Sequence, residues 1–166
     1  MRKKLSTILI SLLLITLLPC TAANAKNVSD YKDVSSNAWY YQFVSYVSEN
    51  NLMTGTNQTT FNPEGILVRG QFATVLYRMS GSPLIEFSYK FTDVPDGQFY
   101  SLPVTWANNN YIITGYSNTK LFGPNDPITR EQLATMLYRY ANSIHWDTSA
   151  RASISSFPDH DKVNDF

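Results

Sequence analysis

Apolar positions along this chain fall into two helical stripes, and both stripes are written twice. Tyr40, Phe43, Val44 and Val47 stand at i, i+3, i+4 and i+7, which gathers them on one face of a helix from about Trp39 to Asn51. Phe72, Val75, Leu76 and Met79 make a second stripe with the same spacing. Sixty positions beyond the first stripe stand Tyr100, Val104 and Ala107, with Pro103 in the first turn, where a missing amide breaks no helical hydrogen bond. Sixty-one beyond the second stand Leu133, Met136, Leu137 and Tyr140. Trp106, in register with Tyr46, borders the stripe and is expected in the core. The pattern predicts an all-α fold of tandem helix-loop-helix repeats, each of about fifty residues.

The register between the copies extends beyond the stripes. Tyr31, Asp33, Val34, Thr54 and Gly55 match Phe91, Asp93, Val94, Thr114 and Gly115; Phe61, Pro63, Arg69 and Gln71 match Phe122, Pro124, Arg130 and Gln132. Residues 30–82 and 90–142 are therefore two complete repeats, and 157–166, with Phe157 and Asp159, open a truncated third. Asn50 and Asn110 end the first helices and lead to Gly55 and Gly115, which supply the backbone freedom for a sharp exit. Thr129 and Gln132 form a capping box at the second helix of the second repeat. Val68 and Gly70 replace Thr129 and Glu131 in the first, changes expected to cost on the order of 1 kcal/mol each. A unit of this size buries too little surface to stand alone, so neighbouring units must complete its core.

The Phe91-Thr-Asp-Val94 opening, its variant at Tyr31 to Val34, the Gly55 and Gly115 turns, the Phe-x-Pro steps and above all Ile128-Thr129-Arg130-Glu131 carry a family likeness. The pattern resembles the S-layer homology repeat, a wall-anchoring module of bacterial surface proteins, over about two thirds of the chain. The resemblance implies three units packed around a pseudo-threefold axis, of which this chain holds two and a beginning. A marginal structure, a shortened product or a fold completed by self-association is then expected.

Arg2, Lys3 and Lys4 before the apolar run from Leu5 to Leu18, with Ala23-Asn24-Ala25 after it, read as a secretory signal peptide over residues 1–25. The run is short for a membrane span, and none is expected after cleavage. Cys20, the only cysteine, falls inside that segment; Pro19 before it disfavours a lipoprotein reading. Without residues 1–25 the basic groups number 10 against 13 acidic, so no basic stripe is available for nucleic acid. The aromatic share of 14%, with eleven tyrosines, suits sugar faces and wet interfaces, or simply fills the cores of small repeats.

Arg69 and Arg130 open the second helices, where the macrodipole disfavours a cation and an acidic partner is expected. Unpaired amides and a two-pronged guanidinium there suit a carboxylate or phosphate. An internal carboxylate, Asp33 or Asp93, is the alternative partner. The resemblance implies that this arginine contacts an acidic secondary cell-wall polysaccharide, commonly pyruvylated, in grooves between adjacent units. The candidate ligand-binding set is Arg130, Glu131, Thr129, Arg69, Trp39, Phe99, Gly55 and Gly115, with the second repeat the fuller site. Trp39 and Phe99 could stack on a sugar or anchor packing, and Asp33 and Asp93 are expected to organise the turn before the first helix.

No catalytic, metal or cofactor constellation emerges. His145 and His160 share no ligand spacing, and Asp159 and Asp161 belong to the third opening rather than to a facing pair of glycosidase carboxylates. The expected function is a secreted, non-catalytic anchor at the bacterial wall. A targeting fragment of an extracellular polysaccharide hydrolase, a self-assembling surface subunit and binding to other surface proteins stand as alternatives.

Overall fold

The computed structural model describes residues 25–163, so the expected signal peptide up to Asn24 and the last residues of the third opening lie outside the described part. Four helices follow one another: α1 (Tyr41–Glu49), α2 (Arg69–Met79), α3 (Ser101–Asn109) and α4 (Arg130–Ser143). Short 3-10 turns stand at Val28–Asp30 and His160–Lys162. Among the described residues there is no strand, only an isolated bridge between Val68 and Pro127. The all-α, tandem helix-loop-helix reading holds.

The larger core is shared between the repeats. Phe72, Ala73 and Leu76 of α2 are buried in one cluster with Phe91, Val94, Tyr100, Val104, Trp106, Ala107, Phe122, Met136 and Tyr140 of the second repeat. Rings interlock across the boundary: Tyr77 meets Trp106 edge-on at 5.7 Å. The second helix of repeat one is thus a core element of repeat two, as the small size of the unit requires. What remains of the first repeat closes a separate cluster of Val28, Tyr31, Val34 and Val44.

This arrangement corrects the expected α1 stripe. Tyr100, Val104 and Ala107 are buried on α3 as expected, but Phe43 on α1 is 64% exposed, because among the described residues no helix packs where α2 packs on α3. Met79 at the end of the α2 stripe and Leu137 within the α4 stripe are likewise exposed.

Helix exits differ in one respect from expectation. Asn50 and Asn110 cap α1 and α3, each side-chain amide donating to a carbonyl four residues back, Tyr46 and Trp106, at 2.8 Å. A left-handed turn is already taken by Asn51 and Tyr111, with φ of 55° and 59°. Gly55 and Gly115 take positive φ as expected, 76° and 74°, and have a further task. A Cβ on Gly55 would come within 2.6 Å of the Tyr31 ring, and one on Gly115 within 2.4 Å of Phe91, so each glycine makes room for its repeat's opening aromatic.

Asp33 and Asp93 are structural, but not in the turn expected of them. Asp33 accepts the amides of Phe61 and Asn62 at 2.9 and 2.7 Å; Asp93 accepts those of Phe122 and Gly123 at the same distances. Each carboxylate therefore clips the Phe-x-Pro loop back to the start of its repeat, tying together segments that are distant in sequence.

Gly70, which the sequence marks as a weak helix position, is a close-approach residue. Its amide donates to Pro124 O at 2.9 Å, and a Cβ would stand 2.9 Å from that oxygen and 3.3 Å from the Cβ of Tyr100. Gly70→Ala gains about 1 kcal/mol of helix propensity but overpacks a seam whose strain costs about 1–3 kcal/mol, so a net loss of stability is expected in urea denaturation. A pH effect follows from Asp33, whose carboxyl is held below its ordinary range chiefly by the Phe61 amide. A depressed folded pKa adds stability above the unfolded value, which is lost as pH falls through the folded one. Asp33→Asn is expected to be less stable at neutral pH and to show a weaker loss on acidification, read from melting temperatures across that range.

Candidate functional site: a groove between the repeats

Arg69 and Arg130 occupy matching positions but opposite environments. The Arg69 side chain is 4% exposed and reaches into the second repeat, where Nε donates to Phe122 O at 2.8 Å and Nη1 to Gln132 Oε1 at 3.1 Å. The guanidinium lies over the Tyr116 and Phe122 rings, 4.6 and 4.8 Å from their centroids. Tyr116 in turn donates its hydroxyl to Asp126 at 2.8 Å. Backbone bonds fix the same seam: Arg69 N to Asp126 O at 3.0 Å and Ile128 N to Leu67 O at 3.1 Å. Burial lowers the Arg69 pKa from its ordinary value, opposed by the nearby Tyr116, Asp126 and Asp93. The charge is satisfied by a carbonyl, an amide side chain and two rings, not by a direct bond to Asp93. Arg69 is a tie between repeats.

Arg130 is exposed at the start of α4. Thr129 caps that helix as expected, accepting from Gln132 N at 3.3 Å while Gln132 Oε1 accepts from Thr129 N at 3.4 Å. In α2 half of this box survives, because Gln71 Oε1 still accepts the Val68 amide at 3.1 Å.

A concave surface lies elsewhere. A groove of about 580 Å³ runs between the loop of the first repeat, one side of α2 and the start of the second repeat. Gly55, Asn62, Gln71, Arg78 and Phe99 are among its lining residues. Of the expected set, Gly55 and Phe99 come together here; Arg69, Trp39, Gly115, Thr129, Arg130 and Glu131 do not line it. Phe99 is 60% exposed at the groove, offering a flat ring. Trp39 is exposed at the matching position of the first repeat.

The groove's cation is Arg78, which matches Arg139 sixty-one positions on and is not among the expected site residues. It stands in the last turn of α2, where the helix dipole favours a positive charge. Nη1 donates to Leu52 O at 3.2 Å, and burial lowers the pKa from its ordinary value. One donor of the guanidinium is thus used on a backbone carbonyl, and the planar fork of such a group is chemically suited to an anion. The signal that could have found it is its helix-end position on the polar side of the α2 stripe. Among the described residues no cluster of His, Cys, Asp and Glu could hold a metal, and no helix is long and apolar enough to cross a membrane.

Comparison with known proteins matches the sequence of this chain to a family. The S-layer homology domain family model matches residues 30–73 and 90–134. The chain is 28% identical over 170 residues to an endoglucanase of Bacillus sp. (strain KSM-635), covering 99% of this chain and 18% of that protein. It is 32% identical over 121 residues to the Surface-layer 125 kDa protein of Lysinibacillus sphaericus, covering 69% of this chain and 10% of that one. A surface layer protein of Brevibacillus choshinensis is 26% identical over 143 residues, with 84% and 12% covered. The chain thus spans less than a fifth of the length of these relatives.

The two arginines should separate in solution. Arg69→Ala leaves the Phe122 carbonyl and the Gln132 side chain without their charged partner, and a loss of about 3 kcal/mol is expected from urea denaturation. Arg130→Ala, at an exposed position, is expected to change stability by less than about 0.5 kcal/mol.

Proposed function

The chain belongs to the S-layer homology domain family, and on that footing we propose that it is a non-catalytic module that holds a protein to the wall by binding an acidic polysaccharide in the groove beside Arg78. Its family and its surface-protein relatives place it at the bacterial cell surface. The observation that carries the proposed site is a half-buried guanidinium, short of a counter-ion, facing a groove with an exposed aromatic ring at its edge. A carboxylate on a sugar, such as a pyruvyl group, matches the planar fork of Arg78. The sugar face matches Phe99, and Asn62 and Thr54 supply neutral polar contacts along the groove. Arg130, exposed outside the groove, is a secondary contact for polymer charge, with Thr129 and Glu131 shaping the helix end that carries it.

A targeting role for a polysaccharide hydrolase fits the same chemistry. The endoglucanase relative aligns with nearly the whole of this chain, and the cargo would differ while the anchor stayed the same.

Pull-down on purified wall sacculi tests the reading. Retention is expected on sacculi that keep the acidic polymer and loss on sacculi stripped of it; equal retention on both would count against the proposal. Arg78→Ala is expected to weaken retention about ten- to a hundredfold, the range for a charge-assisted hydrogen bond, with Arg78→Lys between the two.

A further inference from the structure

The loop that walls the groove has open space on both of its sides. Thr54, Gly55 and Thr56 line the groove, and the same three residues, with Asn57 and Thr59, line an open depression on the outer side. Within itself the loop is held by Thr56 N donating to Thr60 O at 2.8 Å and Thr59 N to Asn57 Oδ1 at 2.9 Å. Those bonds give it a shape but not a position. Asp33 clips its far end at Phe61 and Asn62, and the tip is held from the segment that precedes the repeat. Lys32 N donates to Thr59 O at 2.9 Å, and Lys26, thirty-one residues before Asn57, donates from Nζ to Asn57 O at 2.9 Å.

Lys26 is half-buried, and its ammonium stands 4.5 Å from the centroid of the Tyr31 ring. That ring is itself fixed. It is 3% exposed, occupies the room that Gly55 leaves and meets Phe61 edge-on at 5.3 Å, while its hydroxyl accepts from Ser48 Oγ at 3.1 Å. The lysine is aimed by the turn that follows it, where Asn27 caps Val28–Asp30 and Val28 is buried in the first repeat's cluster. One ammonium therefore joins a buried ring to the tip of the loop, through a charge-assisted hydrogen bond and attraction to the ring face.

The second repeat has no such lysine. Sixty positions on stands Glu86, an acceptor where a donor is needed. There Arg69 does the equivalent work, lying over the Tyr116 and Phe122 rings and donating to Phe122 O. Lys26 also precedes residues 30–73, the part of the first repeat that the family model matches, so this tie belongs to the chain and not to the repeat pattern.

We propose that Lys26 is a positioning residue for the groove: it pins the tip of the 54–60 loop to the Tyr31 ring and so sets the wall against which an acidic sugar is held. The effect on binding rests on the wall-binding reading; the hold on the loop does not. The segment between the expected signal peptide and the first repeat is then a working part of the site. Cleavage after Ala25 leaves Lys26 in the exported chain, and cleavage one residue later would remove it.

Hydrogen exchange on the full chain without polymer, read over residues 54–60, tests the hold on the loop, and retention on wall sacculi is read beside it. Lys26→Met keeps the length of the side chain and gives up the charge and the donor. Exchange over 54–60 is expected to quicken about tenfold in this variant, with the protection of α2 and α3 unchanged. Its retention on sacculi that keep the acidic polymer should fall about three- to tenfold. Lys26→Arg, which restores a cation with donors, should recover most of both. Lys32→Met removes a charge from a neighbouring exposed position, and neither loop exchange nor retention should follow Lys26→Met. Parent-like exchange over 54–60 in Lys26→Met would overturn the proposal, as would a retention loss that Lys32→Met reproduces in full. Faster exchange spread equally over α2 and α3 would make Lys26 a general stabiliser and overturn it too. A parent chain retained equally on stripped sacculi defeats the wall-binding reading instead, and the exchange result still decides whether Lys26 holds the loop.

Discussion

The insertion of Arg69 into the second repeat, together with the close approach of Gly70 beside it, is the constraint on which the rest of the structure depends. A pair of short helices cannot close a core, so α2 is shared: its apolar face belongs to the second repeat's cluster while its polar side faces the first repeat's loop. The tie brings a charged group into a buried seam, which is tolerable only because a carbonyl, an amide side chain and two aromatic faces receive it. The backbone bonds on either side then hold the seam in register.

Once α2 is committed in this way, the groove follows. The loop of the first repeat is clipped to Asp33 and cannot follow α2 into the seam. A space is left between that loop and the side of α2 that faces away from the core, and α3 brings Phe99 to its edge. Arg78 sits there because the end of a helix favours a cation and the groove half-buries it. Position in the array, rather than residue type, thus decides which arginine holds the fold and which faces outward.

The same logic explains why equal sequences meet unequal fates. Trp106 is core and Tyr46 is surface; Leu76 is sealed and Leu137 is open. Each pair differs by whether a neighbouring repeat stands on that face. An array of this kind is coupled through its contacts with adjacent units, and its end units carry the surfaces that its middle units hide.

The sequence by itself determined the helices, their order, the repeat register, the Thr129 cap and the family, because helical periodicity and capping depend on residues a few positions apart. It also marked Gly55 and Phe99 as candidates, through their matching places in the two copies. Only the tertiary structure decided that Phe43 is exposed, that Asp33 clips a loop nearly thirty residues away, that Gly70 is a seam residue and that Arg78 rather than Arg69 faces the groove. Those properties depend on which surface of one repeat another covers. Two copies of one pattern keep matching apolar positions whether or not they have a neighbour, and burial is a property of the neighbour.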